Sequence, residues 1–435
     1  MRVGTGRGMW RATLALLAGL VACSPAGPAD NVPATAPPPA LGESAVLDSA
    51  RASRGESLEV AVYTYGPGNA IFERFGHIAL AVHDRTTGED VAFNWGMFDF
   101  NQPNFLARFL TGDTKYWMVG YRTDQFNAAY QGEDRTIRKQ IIALSPAQRG
   151  ALYDFLAWNA QEQNKYYRYD YYRDNCSTRV RDALDWAMSG ALKPALSTTS
   201  GHHTWRDETA RITASDLPVY AGIEIALGRN ADAHLDAWGE SFLPERLADH
   251  LAAAQVAGAA VVQQDSVIYT AQRAPLPNSA PNRLWAGAAF GLLLAALVVL
   301  LARAAGHGAT MAGTTLSIFG VTWYLVGGVV GTALLLAATV TKHAPYMGSN
   351  LSLLLFNPLL LLTAVLWPWR ASVGRTGRAV RGLSAVCAVF ALIALVLMHL
   401  PGFSQGSMLV VFAVLPVHVA LAWAAQRLTA PATRT

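Results

Sequence analysis

The stretch Tyr172-Arg173-Asp174-Asn175-Cys176-Ser177-Thr178-Arg179-Val180-Arg181-Asp182-Ala183-Leu184 reads as the opening of an amphipathic helix. Asp174 and Asn175 are residue types that cap helix N-termini, and the pattern runs to Met188 before Gly190 ends it. Val180, Ala183, Leu184 and Ala187 recur at helical spacing as one apolar stripe, and Cys176 falls on the same face. Cys176 is thereby placed in the first turn. Unpaired backbone N–H groups and the helix dipole there favour a thiolate and are expected to lower its pKa. The plainer alternative is a small buried cysteine that only fills space.

Upstream, Leu58–Tyr65 has the β-branched and aromatic content of a strand and ends at the turn Gly66-Pro67-Gly68. His77–His83 reads as a buried strand, Thr87-Gly88 as a turn, and Val91–Trp95 as the hairpin partner. Ser145-Pro146 opens another helix, whose apolar face includes Leu152, Phe155 and Leu156. Sheet segments joined by tight turns, with helices to cover them, predict an α+β domain: an antiparallel sheet with packed helices.

The chain has 435 residues, 52% hydrophobic and only 15% charged, where a soluble protein carries about a quarter charged. The deficit is concentrated. Residues 51–283 have ordinary soluble composition, whereas 284–426 contain five long apolar runs, at 284–302, 315–340, 351–369, 382–400 and 408–426. An all-α bundle of about five transmembrane helices is expected there. Arg2, Arg7 and Arg11 precede the short apolar run Leu14–Val21, an export signal over residues 1–23 that ends in Leu20-Val21-Ala22-Cys23. That ending resembles a lipobox, which makes Cys23 a candidate for lipidation. Residues 24–50, rich in Pro and Ala, read as a tether, and residues 427–435 as a cytoplasmic tail.

The positive-inside rule agrees with an exported head. Arg303, then Arg370, Arg375, Arg378 and Arg381, then Arg427 and Arg434 fall on the inner side, with little beyond Lys342 outside. The expected location is a bacterial inner membrane, with residues 51–283 in the periplasm or outside. The net charge of +4 is modest, and no interleaved basic and aromatic patch argues for nucleic acid.

With Cys23 in the signal and Cys387 in the fourth span, Cys176 is the only cysteine of the exported segment. It has no disulfide partner there, so it reads as either structural or reactive. A reactive thiol needs a base. Of His77, His83, His202, His203, His234 and His250, His77 is the best placed, directly after Gly76 at the start of an apolar strand that is expected to face the cysteine helix. His83 reads as a turn residue beside Asp84. Asn94, on the hairpin partner strand, is the candidate to orient the imidazole. His202-His203 lacks a carboxylate cluster at ligand spacing, so no metal is expected. No phosphate-cradling glycine loop is present, so no cofactor is expected either. Arg122, Arg179 and Arg181 are candidates to meet phosphate headgroups, against a plain solvated role. His343, Asn350 and Asn357-Pro358 fall near a membrane boundary, where a polar side chain needs a partner or a purpose.

A histidine on a strand before a cysteine at a helix start resembles the permuted papain-like fold of lecithin retinol acyltransferase and related thiol acyltransferases. More specifically, three blocks are similar to the bacterial lipoprotein N-acyltransferase family Lnb. They are Tyr65-Gly66-Pro67-Gly68 through Phe75-Gly76-His77, then Phe93-Asn94-Trp95-Gly96-Met97-Phe98-Asp99-Phe100, then Tyr172 through Asp182. The similarity continues at Leu227-Gly228, Phe242-Leu243-Pro244, His343, Asn350 and Asn357-Pro358, covering about residues 58–360. Trp95 stands where the family pattern has a tyrosine or phenylalanine, and the lipobox is not a family feature. The resemblance implies an acyl chain moved from a membrane phospholipid to a cysteine thiol, then to the N-terminal amine of lipoproteins. Cys176 would be the nucleophile and His77 the base, with Asn175, Arg179, His343 and Asn350 expected to contact substrate. A membrane-tethered cysteine peptidase or amidase acting on cell-wall peptides is the alternative the residues leave open.

Overall fold

The computed structural model describes residues 45–99, 101, 103–367 and 375–428. The signal region with Cys23, nearly all of the tether and most of the tail, including Arg434, lie outside them. The described chain divides into two compact units. Residues up to 213 together with 234–280 form one, and residues 214–233 together with 281 onward form the other. The stretch read as a single exported segment, 51–283, thus contributes 214–233 and 281–283 to the unit of apolar helices.

The first unit is built on a seven-stranded sheet. Its strands are β1 (Leu58–Tyr65), β2 (His77–Asp84), β3 (Asp90–Met97), β4 (Lys115–Arg122), β5 (Ile137–Ile142), β6 (Tyr166–Arg168) and β7 (Val262–Tyr269). They lie in the order β7-β5-β1-β2-β3-β4-β6 with every pairing antiparallel. The expected antiparallel sheet with packed helices is therefore present. Both faces are covered, which explains why β1 and β2 read as nearly unbroken apolar runs. Val60, Val62, Ile78, Leu80 and Val82 share one core with Leu152, Leu156, Val180, Ala183 and Leu184 of the packed helices. Alternate residues Ala61, Tyr63, Tyr65, Ala79 and Ala81 line the other face, against Phe126 and Tyr130.

The helices begin where the sequence said. Ser145 caps Pro146–Asn159, its hydroxyl accepting from Gln148 N–H while the Gln148 side chain returns to Ser145 N–H. The cysteine helix spans Cys176–Ala187, and its cap is Asn175.

In the second unit, four helices are long and apolar enough to cross a membrane: Leu284–Gly306, Thr310–Val340, Gly377–Met398 and Met408–Arg427. The segment 351–369, expected as one continuous span, differs. It comprises the short helices Ser352–Leu355 and Leu359–Leu366, parted at Phe356-Asn357-Pro358. Pro358 supplies no N–H and disfavours helical backbone at Asn357, which is reason enough for the break. The short apolar helix Leu217–Ala226 also belongs here. Asn350 Nδ2 donates to the carbonyls of Ile225 and Ala226 at its C-terminal end, both at 2.9 Å.

Gly287 and Gly291, four residues apart, let the helices Leu284–Gly306 and Met408–Arg427 touch backbone to backbone. A Cβ on Gly291 would stand 2.3 Å from the Phe412 carbonyl oxygen, and one on Gly287 would stand 2.6 Å from that of Leu409. Gly291→Val is therefore expected to force the two helices apart. Thermal unfolding of the detergent-solubilised chain should shift down by several degrees, whereas Gly306→Ala, where a Cβ meets nothing, should leave it unchanged.

Candidate functional site

Asn175 builds the site from the helix side. Its Oδ1 accepts from the backbone N–H groups of Ser177 at 2.8 Å and Thr178 at 3.0 Å. Its Nδ2 donates to the carbonyls of Tyr171 at 2.9 Å and Phe242 at 3.0 Å. Buried and fully engaged, Asn175 is a cap that fixes the position of Cys176. It has no hydrogen-bonding capacity left for the substrate contact expected of it.

From the sheet side, His77 opens β2 and Asn94 lies buried on β3. His77 Nε2 and Asn94 Oδ1 are hydrogen-bonded. With the amide presenting its oxygen, Nε2 carries the proton and Nδ1 the free lone pair. The imidazole lies parallel to the ring of Tyr130 at 5.9 Å and is met edge-on by Phe126 at 6.3 Å. His77 therefore shares the face of Tyr65 and Tyr130, opposite the one that packs on the cysteine helix. The expectation that its strand face lies directly against that helix is corrected. Ile78, Leu80 and Val82 occupy that face, because side chains alternate along the strand.

Histidine and cysteine nevertheless come together, at the end of the strand. Gly96 adopts φ +109°, and a Cβ built there would stand 3.5 Å from His77 Cε1 and 3.8 Å from Cys176 Cβ. Those two atoms are therefore separated by no more than the sum of the two distances. The gap is kept by the missing side chain, in a backbone conformation that favours glycine. Gly96 went unnoticed as a site residue in the sequence, where only its place in a quoted block could have marked it.

The electrostatics of the pair run against expectation. The Cys176 thiol is pushed up to about 12, burial outweighing the N–H groups of Ser177, Ile78 and Cys176 and the cation of Arg135 that favour a thiolate. The helix N-terminus acts as foreseen, but desolvation wins. His77 is held down at about 4, first by burial, opposed by its bond to Asn94 and reinforced by Arg135. The resting pair is thus a neutral thiol and a neutral imidazole. Arg135, also missed in the sequence, is buried, lies over the Tyr130 ring at 4.4 Å and donates to the Gly66 carbonyl at 2.8 Å.

The remaining candidates have other occupations. Arg179 Nη2 donates to Asp174 Oδ2 at 2.8 Å, and its guanidinium covers the Tyr167 ring at 4.3 Å. Arg181 donates to the Trp238 carbonyl, and Arg122 pairs with Asp124 on the surface. His203 and His250 sit in ion-pair networks around the buried carboxylates Glu208 and Glu240. His83 lies 3.8 Å from Asp90 at the far end of β2. Among the described residues no group of three or more His, Cys, Asp or Glu side chains is placed to hold a metal. His343 and Asn350 belong to the second unit. Besides its two carbonyl contacts, Asn350 accepts from Ser352 N–H and from Gln405 Nε2, so it braces the fold there. Trp95 is accommodated by burial, its Nε1 donating to Asn159 Oδ1 at 2.9 Å.

A histidine, an amide and a cysteine converging where a strand end meets a helix start define a cysteine-centred site on an α+β domain. Residues 48–211 are similar to the family model described as the Lnb N-terminal periplasmic domain, and the chain continues into helices long and apolar enough to cross a membrane. No curated protein matches the chain. No solved structure matches it either.

The depressed imidazole sets the pH profile. A base with pKa about 4 stays competent down to mildly acidic pH, and a thiol at about 12 loses its proton only in strong alkali. If Cys176 acts as a nucleophile with His77 as its base, its acylation by a water-soluble acyl donor should therefore hold a plateau from near pH 5 to pH 9 and fall on the acid side toward pH 4. Stopped-flow or quench acylation rates across that range check it; an acid limb centred near 6.5 contradicts the buried imidazole. His77→Ala should slow acylation by about 10²–10⁴-fold. Asn94→Ala should slow it less and move the acid limb, since it frees the ring to turn.

Proposed function

We propose that the protein is a lipoprotein N-acyltransferase of the bacterial inner membrane, with Cys176 as nucleophile, His77 as general base and acid, and Asn94 as the group that orients the imidazole. The observation that carries this reading is the convergence of His77 and Cys176 at Gly96, inside a segment similar to the Lnb periplasmic-domain model and followed by helices long and apolar enough to cross a membrane.

In the first half-reaction the Cys176 thiol gives its proton to His77 Nδ1 as the sulfur attacks an ester carbonyl of a phospholipid. The ester C–O bond breaks, and the lysophospholipid leaves with the proton returned by His77. In the second, the free α-amine of a lipoprotein's N-terminal cysteine attacks the thioester. The C–S bond breaks, an amide forms, and the amine proton passes through His77 back to the sulfur. Because thiol and imidazole rest neutral, proton transfer accompanies attack. The N–H groups of Cys176, Ser177 and Ile78 around the sulfur stabilise the negative charge as it develops. No cofactor enters either step.

The competing reading, a peptidase or amidase cleaving cell-wall peptides, would use the same residues on water. Several membrane helices favour the acyl transferase, since a peptidase needs only one anchor. A half-open cavity of ≈ 260 Å³ among them, lined by Phe319, Trp323, Val326, Phe356, Leu360 and His418, adds apolar space of the kind a lipid tail occupies. Mass spectrometry of lipoprotein N-termini decides between the readings. A strain whose only copy carries Cys176→Ser should accumulate lipoproteins with a free α-amine, while the variant keeps wild-type abundance because only one atom changes. Fully N-acylated lipoproteins with altered wall fragments would favour the peptidase.

A further inference from the structure

The first unit carries an exposed apolar face beside the site that none of the residues above uses. Ile71 and Phe72 lie on the single turn Ile71–Glu73, and Leu106, Phe109 and Leu110 on the helix Phe105–Thr111, which buries none of its residues. These five side chains are between 51% and 68% exposed. Scattered apolar residues need no explanation, but a cluster of this size marks a contact surface.

The cluster is joined to the cysteine by aromatic rings. Phe72 packs edge-on against Phe98 at 5.9 Å, and Phe98 also meets Phe105 at 6.3 Å and Tyr116 at 5.1 Å. Tyr116 stacks on Tyr169 at 4.2 Å. Tyr116, Tyr169 and Cys176 all pack against the same hydrophobic core. An apolar lead therefore runs from the exposed cluster to the thiol.

What covers such a surface follows from the rest of the chain. Residues 270–283 join the end of β7 directly to the first membrane-crossing helix, so a bilayer is the apolar phase that this domain always has within reach. The only charged residue on the helix Phe105–Thr111 is Arg108, which is matched by Asp113 at 3.9 Å and donates to its carbonyl, so the helix presents apolar side chains with no unmatched charge to hold it in water. We propose that Ile71, Phe72, Leu106, Phe109 and Leu110 seat the domain in membrane lipid, and that one lipid acyl chain passes along Phe98 and Tyr116 to Cys176. The seat stands on its own; the passage to Cys176 rests on the acyl-transfer reading.

The test uses the full chain in nanodiscs made with a phospholipid bearing a diazirine on its acyl chain. After photolysis, peptides covering 71–72 and 105–110 should carry label, whereas Val267 and Ile268, comparably exposed on β7, should not. Leu106→Asp with Phe109→Asp should remove the label and slow acylation of Cys176 by nanodisc phospholipid at least tenfold. The same variant should react at the wild-type rate with a water-soluble short-chain thioester, showing that the site is intact. Label confined to the membrane helices, or equal at 267–268, overturns the seat. So does a face that stays unlabelled because another segment or a protein covers it. Label at the seat with no acylation of Cys176 by any donor overturns the passage and the acyl-transfer reading together, and supports the seat alone.

Discussion

Asn175 is bonded on four sides, and the site depends on it. Two of its bonds satisfy N–H groups that a helix start leaves open, and two tie that start to Tyr171 and to the distant Phe242. The thiol is one residue further along the chain. Any freedom at Asn175 would become freedom at Cys176, and the nucleophile role proposed for that thiol needs its position held to within about an ångström. Next to it, the Ser177 hydroxyl donates to the Ser241 carbonyl at 2.8 Å, so the first turn is held against the same neighbouring segment twice.

The second half of the site is held by rings. Tyr65 stacks on Tyr130 at 4.0 Å, Tyr130 lies parallel to His77, and the Arg135 guanidinium lies over the Tyr130 ring. This packing fixes the imidazole plane and also strips water from it, so one arrangement supplies both rigidity and a depressed pKa. A thiol that rests protonated resists the oxidation that a standing thiolate invites.

In the unit of apolar helices, polar groups act as braces. Gln405 Nε2 donates to Asn350 Oδ1, and its Oε1 accepts from Leu351 N–H at 2.8 Å, so a loop amide holds the start of the broken segment. Asn350 in turn secures the short helix Leu217–Ala226, which comes from the middle of the chain. Irregular backbone survives among apolar helices when its polar groups find partners in the protein, and these contacts supply them.

The positions of β1, β2 and β3, both helix starts, the lone cysteine of residues 51–283 and the apolar runs were legible in the sequence, because each is a local pattern of residue type and spacing; β4, β5, β6 and β7 were not. Pro358 also announced the break in the third apolar run, yet hydropathy alone read through it. The face His77 occupies, the gap at Gly96 and the part played by Arg135 were not legible. They depend on β3 pairing with β2, on β5 pairing with β1 and on the helix Thr123–Gly132 packing over that face, contacts made by segments from elsewhere in the chain. The raised thiol pKa belongs to the same class. A helix start by itself predicts a lowered value, and only the packing around the sulfur decides how much water remains to stabilise a charge.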